Sequence, residues 1–164
     1  IGQLVEERLK GFAVDVTAVR RSPGENTLTP DQWRARLGDF DWVILAVPAT
    51  PETEGMIGAA ELAAMKPSAT IINIARGSVI DQGALVTALQ SGHIGHAFLD
   101  VTTPEPLPAD DILWTLPNAH ITMHLSGRAQ DKMFVRSAQR FLDNLARWER
   151  GEPVTPQVDL ALGY

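Results

Sequence analysis

The chain contains no cysteine, which excludes disulfides, thiolate metal sites and a cysteine nucleophile. It contains no run of about 18 apolar residues, the length that a bilayer-crossing helix requires. Basic residues are outnumbered, 14 against 20 acidic ones, for a formal net charge of -6. That balance gives no footing for nucleic acid or an anionic membrane as partner. An anionic cofactor would have to be held by local features, not by a global field. What is present is ordinary for a globular protein: 164 residues, 45% hydrophobic and 21% charged. The length suits one domain, and the composition is compatible with the cytoplasm, where the protein is expected.

Four short apolar runs recur at regular intervals: Val14–Val19, Trp42–Val47, Thr70–Ile74 and Gly95–Leu99, with starts 28, 28 and 25 residues apart. A weaker run covers Ala119–Thr122. Trp42–Val47 and Thr70–Ile74 are almost continuously apolar, as strands buried on both faces should be. Helices are expected ahead of the first run, over Gln3–Lys10, and between the runs, over Asp31–Leu37, Ala59–Met65 and Gln82–Gln90. The second opens after Thr29-Pro30, the third stops at Lys66-Pro67, and the last has Asp81 as N-cap and Ser91-Gly92 as its stop. Strand and helix alternating at this period predict a parallel sheet with crossover helices, an open α/β fold. From Ala129 to Arg150, Phe134, Ala138, Phe141, Leu145 and Trp148 form one stripe of a long amphipathic helix. Gly151-Glu152-Pro153 ends it, and the tail to Tyr164 reads as irregular.

The opening is unusual. Ile1-Gly2 leads directly into a helix, and the strand after it ends in Arg20-Arg21-Ser22. A glycine opening a helix, followed by a strand with ligand-reading residues at its tip, is the second half of a dinucleotide-binding βαβ unit. On that reading Gly2 is the third glycine of the fingerprint, and a Rossmann-type doubly wound sheet lacks its first, central strand. Either the chain is a fragment, or Val14–Val19 and Trp42–Val47 pair directly and close the gap; the fragment reading is preferred. Residues 1–150 are then a dinucleotide-binding domain cut at its N-terminal edge. Residues 151–164 are a tail returning toward a substrate domain built from sequence before Ile1, and these 164 residues alone are expected to be inactive.

Three segments follow predicted strands at their carboxyl ends: Ile72–Asp81, Leu99–Pro108 and Ile121–Gly127. Open α/β sheets bind ligands in the crevice outside those ends, so Arg76, Glu105 and His124 are candidates to converge although they lie 29 and 19 residues apart. The order Arg76-Gly77, then Leu99-Asp100-Val101 with Glu105-Pro-Leu-Pro108, then Thr122-x-His124-x-x-Gly127 resembles the D-isomer-specific 2-hydroxyacid dehydrogenases, especially the glyoxylate/hydroxypyruvate reductase type. Val47-Pro48-Ala-Thr-Pro-Glu-Thr53 and Met65-Lys66-Pro67 are similar to stretches of the same family, and the likeness spans nearly all of residues 1–150. Met123 stands where the family commonly has proline.

The chemistry agrees with the resemblance. Reduction of a 2-keto acid needs a cation for the carboxylate, a proton donor for the carbonyl oxygen and a hydride source. Arginine offers a planar fork for the first, and histidine titrates near operating pH for the second. A carboxylate beside a histidine favours the imidazolium and fixes which ring nitrogen faces the substrate. The resemblance assigns these roles to Arg76, His124 and Glu105. It also implies cofactor contacts from Ile1, Gly2, Val47, Pro48, Thr53, Ile74, Ala75, Arg76, Asp100, His124 and Gly127, with Asp100 on the nicotinamide carboxamide or ribose side. No metal is expected.

Cofactor choice is read at the tip of the second strand. Enzymes that prefer NAD carry an acid there for the adenosine ribose. Arg20, Arg21 and Ser22 supply none and suit a 2′-phosphate through charge-assisted hydrogen bonds. NADP(H) is therefore preferred, with NAD(H) possible. The bland alternative is that both arginines are solvated loop charges. His93, His96 and His120 are read as structural or solvated, and Asp81 as a cap. The expected function is an NAD(P)-dependent oxidoreductase acting on a small 2-keto or D-2-hydroxy acid, as a homodimer by family likeness. The rival from another class is a cofactor-binding sensor that does not turn over.

Overall fold

The computed structural model describes residues 1–21, 24, 26–127 and 132–161. It divides into two compact units, Ile1–His124 and Leu125–Tyr164. In the first, a parallel sheet runs in sequence order through β3 (Trp42–Leu45), β4 (Thr70–Asn73), β5 (His96–Leu99) and β6 (Ala119–Ile121). All three pairings are parallel and in simple register, so Leu45, Asn73, Leu99 and Ile121 form one row across the carboxyl end of the sheet. The four apolar runs from Trp42 onward thus become four neighbouring strands. The mixed α/β class and the parallel sheet are as expected.

Side chains alternate across the sheet. Leu45, Ile71, Ala97 and Leu99 lie on the buried face, with Leu62 of α2 (Ala59–Ala64) and Leu85 and Leu89 of α3 (Gln82–Gln90) in the same core. Helix α3 has the bounds expected of it, and Asp81 caps it by accepting from the Ala84 amide at 3.0 Å. Helix α2 begins where the Glu61 carboxylate accepts from the Gly58 amide at 3.0 Å, and it ends before Lys66-Pro67. The opposite face carries Trp42, Ile44 and Phe98, all exposed.

The start of the chain differs from expectation. Helix α1 covers Gly2–Leu9, but β1 is only Ala18–Val19 and pairs in parallel with β2, Thr27–Leu28, a strand the periodicity does not announce. Among the described residues, the ladder with β2 takes in Ala18 and Val19 and not residues 14–17. Strands β1 and β3 belong to separate sheets, so the gap between them is not closed by direct pairing. The helix expected over Asp31–Leu37 is instead a turn followed by a 3-10 helix at Arg34–Asp39. Trp33 and Leu37, four residues apart, still both reach the core. Gly38 falls inside this segment and disfavours a regular α-helix, and the chain turns extended at Phe40.

In the second unit, α4 spans Met133–Glu149. Residues 129–131 of the expected helix lie outside the described residues. Its exposed stripe includes Phe134, Phe141 and Trp148. Asn144 holds the tail to the helix by exchanging two 2.9 Å hydrogen bonds with the Thr155 backbone. Among the described residues, no helix is long and apolar enough to cross a membrane, and no group of three or more His, Cys, Asp or Glu side chains could hold a metal ion.

Candidate active site

The carboxyl ends of β4, β5 and β6 lie side by side, and each leads into a loop that carries one candidate group. Beyond β6, Thr122 donates its amide hydrogen to Leu99 O at 2.9 Å, and the His124 amide donates to Asp100 O at 2.9 Å. These bonds carry the strand pairing past Ile121 and deliver His124 beside the β5 loop. His124 has φ of 54°, in the left-handed region, so the chain reverses at that residue. Its ring Nδ1 meets Glu105 Oε1 at 2.6 Å. With Nδ1–H donated to the carboxylate, Nε2 is the ring nitrogen left for a substrate. The pair is 44% and 41% exposed on its side chains, so it orients the ring more than it stabilises the fold.

Arg76 stands three residues beyond β4, with exposed side chain and extended backbone. Its Nη1 donates to Ala75 O at 2.6 Å. The next residue explains how its loop meets the one bearing Glu105. A Cβ on Gly77 would lie 1.9 Å from the Thr102 carbonyl oxygen, so only glycine allows the two backbones to touch. On the other side Gln82, the first residue of α3, accepts from the Thr103 amide at 3.0 Å. The Glu105 loop is thereby held between the Arg76 turn and the start of α3.

Asp100 follows β5 and is only 7% exposed. Thr122 donates its hydroxyl hydrogen to Asp100 Oδ1 in a short contact. A buried carboxylate at the crevice fits an amide donor such as a nicotinamide carboxamide. Gly2, at the N-terminus of α1, lies alongside the end of β3, where a Cβ would meet Ala46 Cβ at 3.8 Å. Val47 and Pro48 follow β3, and the Thr53 hydroxyl closes their loop by donating to Pro48 O at 2.7 Å. Ile74 donates to Leu45 O at 3.2 Å, and Ala75 is buried beside it. Together these residues border the carboxyl edge of the sheet, where a dinucleotide lies in folds of this class. Gly127 belongs to the second unit, and Ser22 lies outside the described residues.

The arginines at the tip of β1 are not equivalent. Arg20 forms a short ion pair with Glu6 of α1. Arg21 is exposed, and its charge contributes to holding the Glu52 carboxyl below its ordinary value, after the hydrogen bonds to Thr50 and to Glu52's own backbone. The other histidines have their own settings. His93 Nε2 lies 3.1 Å from Leu62 O, while His96 and His120 stack on the exposed sheet face. Sequence reasoning did not single out Gln82, Glu6 or Asn73, and it quoted Thr122 only as part of the Thr122-x-His124-x-x-Gly127 motif. For Asn73 the signal available was a polar residue at the end of a largely apolar strand.

Residues 1–126 match the family described as D-isomer specific 2-hydroxyacid dehydrogenase, NAD binding domain. The chain is 38% identical over 157 residues to a glyoxylate reductase of Korarchaeum cryptofilum, covering 93% of this chain and 47% of that protein. It is 36% identical over 173 residues to human glyoxylate reductase/hydroxypyruvate reductase, covering 98% of this chain and 50% of that protein. The chain therefore spans about half the length of these curated relatives. Among solved structures, a D-isomer specific 2-hydroxyacid dehydrogenase from Xanthobacter autotrophicus in complex with NADPH and MES superposes with a TM-score of 0.89. The identity is 37%, over 99% of this chain and 68% of that one. An NADPH-dependent glyoxylate/hydroxypyruvate reductase from Sinorhizobium meliloti, in complex with NADP and sulfate, gives 0.89 at 30% identity, over 99% of this chain and 54% of that one. With loops, strand order and family match in agreement, this chain belongs to the D-isomer-specific 2-hydroxyacid dehydrogenases, as their NAD-binding domain.

Proposed function

We propose that the protein carrying this chain reduces a small 2-keto acid to its D-2-hydroxy acid, with NADPH as the preferred reductant. The observation that carries this reading is the 2.6 Å contact between His124 Nδ1 and Glu105, on a loop packed against the Arg76 turn. The nicotinamide supplies the hydride when bound. Arg76 binds the substrate carboxylate through its guanidinium fork, which fixes the keto carbon in one orientation. His124 gives the proton on Nε2 to the carbonyl oxygen as that carbon is reduced, so the product is the neutral hydroxyl. Glu105 holds the ring by accepting from Nδ1, which leaves Nε2 toward the carbonyl oxygen. Asp100 accepts from the carboxamide, and the N-terminus of α1 at Ile1-Gly2 faces the pyrophosphate.

Preference for NADPH is supported by the absence of an acid at the tip of β1 and by the exposed Arg21. The relatives solved with NADPH or NADP support it as well. Glyoxylate and hydroxypyruvate are the first substrates to try, because relatives are named for them. A homodimer in the cytoplasm is the setting proposed, supported by family likeness and by the exposed apolar stripe of α4.

The test is oxidation of NADPH and NADH by the protein against a panel of 2-keto acids. Turnover with glyoxylate or hydroxypyruvate is expected, and His124→Ala should lower kcat by about 10²- to 10⁴-fold. Cofactor binding without turnover across the panel would sink the enzyme reading and favour a sensor.

A further inference from the structure

Asn73 ends β4 at 1% exposure, in the same row as the apolar Leu45, Leu99 and Ile121. A polar side chain so deeply buried is costly unless both its amide groups are satisfied. Here they are satisfied locally. Nδ2 donates to Arg76 O at 2.9 Å, and Oδ1 accepts from the Ala75 amide at 3.0 Å. Arg76 O also accepts from the Val79 amide at 3.2 Å, and Ala75 O accepts from the Arg76 guanidinium. The backbone of Asn73 meanwhile accepts from the Asp100 amide at 3.0 Å. One residue thus ties the end of β4 both to the start of the Asp100 loop and to the turn that follows.

We propose that Asn73 is the positioning residue for Arg76: its amide fixes the turn Ile74–Gly77 and so sets where the guanidinium meets the carboxylate of the keto acid. The substrate half of this statement rests on the function proposed above. The chemistry of the turn calls for an amide. A donor and an acceptor must sit on one short planar group, facing a carbonyl and an N–H only one residue apart. An aliphatic residue of similar volume would leave Arg76 O with one donor fewer and the Ala75 amide unpaired. Among the described residues, the other side-chain hydrogen bond within the turn comes from the Arg76 guanidinium itself, to Ala75 O. Gly77 holds it from the far side by contact with Thr102, so loss of Asn73 frees the Arg76 end of the turn first.

The experiment uses Asn73→Ala and Asn73→Ser, the serine variant carrying the test if the alanine one does not fold. Three quantities are measured in the protein: KM and kcat for glyoxylate, the Kd of NADPH, and the rate at which phenylglyoxal modifies Arg76, followed by mass spectrometry of its peptide. We expect KM for glyoxylate to rise about tenfold or more, with a smaller change in kcat and in the Kd of NADPH. Modification of Arg76 should accelerate about threefold or more as the turn loosens. A lower melting temperature with KM and modification rate both within about twofold of the parent would overturn the proposal and leave Asn73 a strand-end brace. If the parent protein reduces no keto acid, the proposed function fails, and the modification rate alone decides the role of Asn73.

Discussion

The two halves of the candidate site are built on different foundations. The residues assigned to the substrate side, Arg76, Glu105 and His124, stand on loops that follow β4, β5 and β6; the inner faces of β4 and β5 are buried, as at Ile71 and Ala97, and that of β6 is partly buried. Each loop is braced by a named contact: Asn73 for Arg76, Gly77 and Gln82 for the Glu105 loop, and the Asp100 carbonyl for His124. The residues assigned to the nucleotide side, Gly2, Arg20 and Arg21, stand on α1 and at the end of the two-residue pair β1–β2, and among the described residues none before Trp33 is buried. Chemistry that needs sub-ångström geometry is mounted on the rigid part.

The sharpest way to break this comparison is to perturb both foundations alike. Ile71→Ala should cost about 2–5 kcal/mol in denaturant unfolding, because it opens a cavity in a sealed core. Leu4→Ala on α1, where the side chain is 59% exposed in these 164 residues, should stay within about 0.5 kcal/mol when they are unfolded by themselves. Equal costs would mean that α1 is buried after all. Next in size is Gly77→Ala, whose added carbon meets the Thr102 backbone. It should destabilise by about 1–3 kcal/mol and raise KM for a keto acid while sparing the Kd of NADPH; an unchanged KM would separate the two loops functionally.

Arg21→Ala probes the soft side. Loss of one charge-assisted hydrogen bond, about 1.5–3 kcal/mol, should weaken NADPH about tenfold or more in a fluorescence titration and leave NADH nearly unaffected. Equal weakening of both cofactors would assign Arg21 to a part they share, such as the adenine, and no weakening of either would leave it in solvent. The smallest effect concerns Glu61, which joins α2 to the 3-10 helix through Arg34 at 2.8 Å. The hydrogen bond from Arg34 holds its carboxyl below the ordinary value of 4.5 despite an opposing desolvation. A depressed folded pKa contributes stability above that value, and the contribution is lost as the pH falls through the folded one. Glu61→Gln should therefore cost about 0.5–1 kcal/mol at neutral pH and nothing in strong acid; a constant difference across the pH range would remove the ion pair from the account.

What the sequence disclosed follows the same division. The strands at Trp42, Thr70, His96 and Ala119 were legible because burial on the core side leaves a run of apolar residues. Helix α3 was legible to the residue because Asp81 and Ser91-Gly92 punctuate it. Strand β2 was not, since two residues in a ladder leave no period to detect, and β1 occupies only the end of the run expected over Val14–Val19. The residues of the site could be read from motifs at strand ends, but their braces could not. Glu6 and Arg20 are 14 residues apart in sequence, and Gln82 reaches back to Thr103 across 21. A side chain that accepts from a distant loop amide leaves no local spacing behind. Asn73 did leave a mark, as a polar residue ending an apolar strand, and only its partners gave that mark a meaning.

The backbone of His124 carries a further consequence. At φ of 54° this residue sits where a β-carbon is crowded, so glycine or asparagine would occupy the position more comfortably than histidine. Selection acting on thermal endurance alone would drift away from histidine there. A lineage that keeps it is holding on to an imidazole against the pull of its own main chain. Sequences of this family that have relaxed to Gly or Asn at this position would be the ones to examine for a lost reaction and a higher melting point.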